Sequence, residues 1–216
     1  MRAVVLLSGG LDSAVNLGKA VSSGQVILGL TFAYGQRAAA REANASAQLA
    51  AHFGVPHRVI ALPFLGDITR TSLVNVEANI PEAGLEELEQ DRLASTARVW
   101  VPNRNGLFIN IAASFAEALE GDTVVAGFNR EEGAAFPDNS PDFVAAANVA
   151  LGYSTLSRVR VKCFTQEMDK ADIVRLGREL GVPLTLTWSC YYGGEVPCGR
   201  CESCRRVKRA WEMVAG

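Results

Sequence analysis

The stretch Ser8-Gly9-Gly10-Leu11-Asp12-Ser13 follows directly on the apolar run Ala3 to Leu7 and opens a helical pattern. Paired glycines admit backbone angles closed to other residues. Successive N–H groups then converge on one concavity that suits an anion. The helix that follows adds unpaired amides and the positive end of its dipole. Ser8 and Ser13 supply hydroxyl donors, and a pyrophosphate fits such a site. Asp12 alone would repel it, so a bridging Mg²⁺ or a nucleotide hydroxyl is its expected partner. Ser-Gly-Gly by itself also suits an ordinary strand-to-helix turn with a Ser or Asp cap. The segment is neither a Walker A loop, whose Gly-Lys-Ser/Thr ending is absent, nor the dinucleotide G-x-G-x-x-G turn.

Outward from this turn, short β-branched runs alternate with longer helical patterns. After Ala3 to Leu7 come Val26 to Phe32, Arg58 to Leu62, Thr123 to Gly127 and Val159 to Val161. Continuous apolar runs of this length read as strands buried on both faces. Between them, Leu107, Ile111, Phe115 and Leu119 recur at a four-residue step, as do Ile173, Gly177 and Leu180 at helical spacing. The Ala-rich stretch Gln36 to Phe53 predicts a helix that approaches a sheet closely. The alternation predicts an α/β fold: a Rossmann-like open parallel sheet with helices on both faces. Residues 63–97 break the rhythm and read as an insertion or lid over the sheet edge. The Gly, Pro, Asp and Asn residues between Phe128 and Pro141 signal a loop. The whole of 1–216 reads as a single domain with a small cysteine-rich appendage at 190–204.

The chain has 216 residues, 49% of them hydrophobic, and a formal net charge of -2. That length suits one domain with a sizeable core. The charge gives no push toward nucleic acid, which usually selects a basic face. No stretch approaches the roughly 20 apolar residues of a membrane span, and the opening run is too short for a signal peptide. A cytoplasmic location is the expectation.

Cys190, Cys198, Cys201 and Cys204 follow the pattern C-x7-C-x2-C-x2-C. In a reducing compartment such a cluster favours metal over disulfides. Four thiolates complete tetrahedral Zn²⁺ and leave no open position, so the expected role is structural. An iron–sulfur cluster and free redox thiols are the competing readings. Arg200, Arg205, Arg206, Lys208 and Arg209 are placed to offset the charge of four thiolates. Cys163 stands apart and reads as a small packing residue. His52 and His57 fall outside every motif and read as structural or exposed.

The opening hexapeptide resembles the PP-loop of the N-type ATP pyrophosphatases, which include GMP, asparagine and NAD synthetases and tRNA-thiolating enzymes. They cleave ATP between the α and β phosphates. With the four-cysteine segment, the chain is similar to the 7-cyano-7-deazaguanine synthase (QueC) family over nearly its whole length. Further motifs carry that resemblance: Phe32-Ala33-Tyr34-Gly35-Gln36-Arg37 with Glu42, Val101-Pro102-Asn103-Arg104-Asn105, Gly127-Phe128-Asn129, Phe136-Pro137-Asp138, Asp169-Lys170 and Ser189-Cys190-Tyr191.

The resemblance implies an adenine nucleotide alpha hydrolase-like sheet, structural Zn²⁺, ATP as co-substrate with Mg²⁺, and a homodimer. Its implied partners are ATP, a deazaguanine carboxylate and ammonia, with no nucleic acid and no membrane. Ser8, Gly9, Gly10, Leu11, Asp12, Ser13 and Arg37 would bind ATP. Asp12, Arg104 and Lys170 would be catalytic. Tyr34, Glu132, Phe136 and Asp138 would face the base, with Phe136 stacking and a carboxylate accepting from the guanine-like edge. Ala134-Ala135-Phe136-Pro137-Asp138-Asn139-Ser140 departs from the family's more usual Ser-Gly-Tyr-Pro-Asp-Cys-Arg, and Ala38 stands where a His often follows Gln-Arg. These changes bear on the substrate more than on the ATP chemistry. An enzyme that stops at the amide or uses another amine, a tRNA-modifying PP-loop enzyme, and a nucleotide-binding module without turnover are the alternatives.

Overall fold

The computed structural model describes residues 1–80, 82 and 92–215, with backbone alone for residues 92–95. The chain runs β1 (Arg2–Leu6), α1 (Leu11–Ser23), β2 (Gln25–Ala33), α2 (Ala39–His52), β3 (His57–Ala61), α3 (Pro63–Ile68), α4 (Arg92–Val99) and α5 (Arg104–Ala118). It continues through β4 (Thr123–Val125), α6 (Arg130–Gly133), α7 (Pro141–Ser154), β5 (Arg160–Lys162), α8 (Lys170–Glu179) and α9 (Glu202–Ala215). The strands lie in the order β3-β2-β1-β4-β5, and every neighbouring pair is parallel. Strand order therefore reverses beside β1. Connections from β1 and β4 leave in opposite directions, which opens a crevice at their carboxyl ends.

Alternation along β1 divides the core. Ala3, Val5 and Leu7 pack with Leu17 of α1, Leu49 of α2, Ile173 of α8 and Ala210 of α9. Val4 packs on the other face with Leu30, Phe32, Val124, Ile109 of α5 and Leu151 of α7. Both faces of the parallel sheet are thus covered, as its apolar runs require. No helix among the described residues is long and apolar enough to cross a membrane.

Two local expectations change. α5 presents Ile109, Ala112, Ala113 and Ala116 to the sheet, while Leu119 is exposed. The small row wins because alanines let the helix axis come close, and the larger Leu107, Ile111 and Phe115 fill its half-buried flanks. α2 begins at Ala39 rather than Gln36. The Gln36 amide instead closes the turn after β2, accepting from Tyr34 N at 2.8 Å and donating to Phe32 O at 2.9 Å. Of the expected insertion or lid at 63–97, Leu65 and Leu73 pack with Tyr34 beside the end of β2; residues 81 and 83–91 lie outside the described residues.

Asn16 ties this frame together at the crevice. It is fully buried in α1. Its Nδ2 donates to Asp12 O at 2.9 Å and Thr165 Oγ1 at 2.6 Å, and its Oδ1 accepts from Phe164 N at 2.8 Å. Asn16→Ala strands a buried backbone N–H and is expected to lower stability by about 2–3 kcal/mol. Urea denaturation checks this, and an unchanged midpoint would contradict it.

Candidate active site

The glycine turn sits at the mouth of the crevice. Gly9 has φ +78°, and a Cβ there would lie 2.7 Å from Glu42 O and 2.9 Å from Ala45 Cβ of α2. A side chain at Gly127, past β4, would meet the N and Cα of Ser13 at 2.9 Å. Only glycine lets β4 and α2 close on the turn from both sides. Ser13 Oγ accepts from Ser8 N at 3.2 Å and donates to Gly10 O at 3.0 Å, which holds the turn's curvature. α1 starts at Gly10 with no side-chain cap, so its first-turn amides keep their capacity for an anion.

A cavity of about 250 Å³ opens on this turn. On one side stand Asp12, Glu132 and Lys170. Lys170 Nζ lies 2.5 Å from Asp12 Oδ2 and 2.8 Å from Glu132 Oε1, with its side chain only 8% exposed. Asn129 caps α6, accepting from Glu132 N at 2.9 Å, and donates to Asp12 Oδ2 at 3.0 Å. Asp12 Oδ1 is buried without a hydrogen-bond partner among the described residues. Burial raises the Asp12 pKa above the ordinary carboxylate value against the pull of Lys170. Burial also pushes Glu132 up, but Lys170, Asn129 and Arg206 outweigh it and hold it low. Burial disfavours the Lys170 charge, and the two carboxylates more than restore it, so Lys170 stays protonated.

On the other side stand Arg104, Tyr34 and Glu42. Asn103 adopts a left-handed conformation, φ 51°, to start α5 with Arg104. Arg104 Nη1 donates to Tyr34 Oη at 3.3 Å, and its guanidinium lies 6.0 Å from the Tyr34 ring centroid. Burial raises the Glu42 carboxyl against a hydrogen bond from Gln36 Nε2 at 2.9 Å. Leu30, Phe32, Phe108 and Phe136 supply flat apolar walls, with Phe136 parallel to Trp100.

The cavity's roof comes from the cysteine segment. Trp188 N donates to Gly9 O at 2.8 Å, and Trp188, Ser189, Tyr191, Glu202 and Arg206 all line the cavity. The ligand sulfurs of Cys190, Cys198, Cys201 and Cys204 lie within 4.8 Å of one another, an arrangement able to hold a metal ion. The Cys198–Cys204 separation is 3.9 Å, close to the ~3.8 Å between thiolates tetrahedrally placed about zinc. The nearby cations serve other partners. Arg206 binds Glu202 and Glu131, Arg209 binds Glu131, Arg200 binds Glu82, and Lys208 faces Glu212.

Of the residues singled out in the sequence, Ser8, Gly10, Leu11, Asp12, Ser13, Tyr34, Arg104, Glu132, Phe136 and Lys170 line the one cavity. Gly9 shapes it from behind. Arg37 stands elsewhere: it donates to the carbonyls of Asn75 and Ala78 and lies under the Tyr192 ring. Asp138 flanks the cavity, with its carbonyl on Asn105 Nδ2 at 3.3 Å. Ala134 and Ala135 do not line it, so of the departures there Phe136 and Asn139 alter its walls. Sequence reading assigned no role to Asn129, Glu42, Tyr191 or Glu202, and it took Arg206 only as a cation offsetting the thiolates. The quoted motifs contain the first three, but Glu202 carries no local signal. Cys163 is half-buried with Sγ 3.2 Å from Phe128 O, and His57 pairs with Thr31 Oγ1 at 2.8 Å.

A glycine turn at the switch point of a parallel sheet, with a buried acid–lysine cluster beside it, defines the nucleotide-binding PP-loop class of α/β enzymes. The model of the family "Queuosine biosynthesis protein QueC" matches residues 2–215, and the chain belongs to that family. A 7-cyano-7-deazaguanine synthase of Pelotomaculum thermopropionicum is 59% identical over 212 residues, covering 97% of this chain and 96% of the relative. One of Methanosarcina mazei is 46% identical over 219 residues, covering 99% and 95%. An NMN synthetase structure from Francisella tularensis aligns at a TM-score of 0.50 and 16% identity, covering 99% of this chain and 84% of that one, and supports the fold.

Removing Lys170 would leave Asp12 and Glu132 adjacent and unpaired. Lys170→Met is expected to cost about 3–5 kcal/mol at neutral pH. The folded variant would bind protons more tightly than the unfolded chain, so its deficit should shrink as pH falls. Denaturation across pH measures this, and a deficit growing toward acid would contradict it.

Proposed function

We propose that the cavity joins ATP to the carboxylate of 7-carboxy-7-deazaguanine and passes the activated acid to ammonia, ending at the nitrile. The carboxylate oxygen attacks the α phosphorus, and pyrophosphate leaves. Ammonia attacks the acyl carbon, AMP leaves, and a proton is released, giving the amide. In the second round the amide oxygen attacks a second ATP, pyrophosphate leaves again, and loss of AMP with the remaining N–H protons yields the nitrile. Oxide is a poor leaving group and AMP a good one, so alignment and charge stabilisation carry the rate rather than a protein nucleophile.

The observation that carries this reading is the shared cavity of the glycine turn and the Asp12–Lys170–Glu132 cluster. The turn and the start of α1 receive the β and γ phosphates. Lys170 and Arg104 offset charge on the departing pyrophosphate and the acyl oxygen. Tyr34, Glu132, Phe136 and Asp138 face the base, and Arg37, which also belongs to the expected ATP set, acts from outside by fixing the segment around Asn75 and Ala78. The unpaired buried Asp12 Oδ1 fits Mg²⁺, which would neutralise phosphate charge there. The four sulfurs fit structural Zn²⁺. Small molecules are the partners, and the net charge of -2 supports the absence of a nucleic-acid partner. The chain acts in the cytoplasm as a homodimer.

Incubation with ATP, Mg²⁺, ammonium and 7-carboxy-7-deazaguanine should give nitrile mass; amide alone would leave only the first round, and no product would refute the reading. Asp12→Asn should abolish pyrophosphate release while melting no lower than the parent, because burial already disfavours its charge; turnover at the parent rate would refute its role. Metal analysis should find about one zinc per chain. Cys201→Ser should lose metal and thermal stability together, and a normal melting temperature would refute the structural role.

A further inference from the structure

The cavity contains a buried carboxylate that activation of the acid does not use. Glu202 opens α9 directly after Cys201 and is 6% exposed. Its Oε1 accepts twice from Arg206, from Nε at 3.0 Å and Nη2 at 2.9 Å. Its Oε2 is buried, has no hydrogen-bond partner among the described residues, and belongs to a side chain lining the cavity. A buried carboxylate oxygen left without a donor costs free energy, so a ligand that brings one is the natural complement.

The surroundings select the ligand. Glu202 and Glu132 both act on Tyr191, and two acids on this wall, away from the phosphates at the glycine turn, disfavour an anion there. A guanine-type edge offers two parallel N–H donors and needs a carboxylate with both oxygens free. Here one oxygen is already occupied twice. A small cation with single N–H donors fits. Tyr191, whose buried phenol feels both Glu202 and Glu132, brings a hydroxyl to the same wall.

We propose that Glu202 Oε2, on a cavity wall it shares with Tyr191, binds the ammonium ion that supplies the nitrogen. The proposal rests on the nitrogen-transfer reading above and deepens it by giving the donor a site. In neutral water almost all ammonia is present as ammonium, so a site for the cation collects the abundant form. Loss of one proton from the held ion to water leaves ammonia with a free lone pair beside the acyl group, and its attack from there is a positioned reaction rather than an encounter. Because Glu202 and Tyr191 each adjoin a cysteine of the cluster, the metal-holding segment is what places this site.

Steady-state kinetics of Glu202→Gln test it. The KM for ammonium should rise about tenfold or more, as for loss of a charged hydrogen bond, while kcat at saturating ammonium, the KM for ATP and the zinc content stay close to the parent. An unchanged ammonium KM overturns the proposal, and so does an equal rise in the KM for ATP, which marks a merely structural role. Should Glu202→Gln lose its metal, Glu202→Asp keeps the charge opposite Arg206 and withdraws the free oxygen, and the same split is expected of it. The parent enzyme separates the two claims. Pyrophosphate release from ATP and the carboxylate without ammonium upholds the activation chemistry whatever the variants do, and its absence sinks that chemistry rather than the ammonium site.

Discussion

One buried ammonium group, Lys170 Nζ, is held between two carboxylates of the cavity wall from different parts of the chain, Asp12 and the partly exposed Glu132. Asp12 comes from the first turn of α1, Glu132 from α6, and Lys170 from the first turn of α8. Burying three charges is unfavourable unless each is matched, and removal of one partner leaves the others stranded. The cluster therefore requires α1, α6 and α8 to meet at one point, the switch point between β1 and β4. Its stoichiometry also shapes the chemistry. A single cation serving two acids leaves Asp12 Oδ1 without a hydrogen-bond partner among the described residues, and on the proposed reading a metal carried by the nucleotide would satisfy it.

The cysteine segment extends the same logic to the far wall. A structural metal site can sit anywhere on a surface, yet here the residues between and beside the sulfurs enter the cavity. Trp188 bonds the glycine turn, Tyr191 follows Cys190, and Glu202 follows Cys201. Arg206 then joins Glu202 to Glu131, whose other carboxylate oxygen accepts from the backbone N–H of Lys170. An ionic chain thus runs from the cysteine lobe to the lysine at the centre. Fixing the sulfurs fixes the roof, and the roof, through Trp188, braces the glycine turn.

What sequence shows here is what is local. Every strand run, the glycine turn, the alternation that implies a parallel sheet and the spacing of the cysteines are properties of neighbouring residues. Lys170 and Arg104 also come through, because each opens a helix within a recognisable motif. What does not come through is pairing across distance. Nothing in the periodicity of α5 distinguishes the alanine row that meets the sheet from the leucine row beside it; the closeness of β1 and β4 decides. Arg37 reads as a phosphate ligand from its motif, but its guanidinium takes the carbonyls of Asn75 and Ala78. Glu202 carries no motif at all, and only the fold of the lobe turns it into the cavity.

The position of Arg37 changes the electrostatic problem the site has to solve. A triphosphate brings several negative charges to a turn whose nearest acid is Asp12. With Arg37 facing away, the side-chain cations lining the cavity are Lys170, Arg104 and Arg206. Lys170 is already shared by two carboxylates, and Arg206 by Glu202 and Glu131. Arg104, held by the Tyr34 phenol, is the one not bound to a carboxylate at hydrogen-bonding distance among the described residues. On the proposed reading, positive potential for the phosphates would therefore come largely from the amides at the start of α1 and from a cation on Asp12 Oδ1, and Arg104 would be left for the charge that develops where the acid is activated.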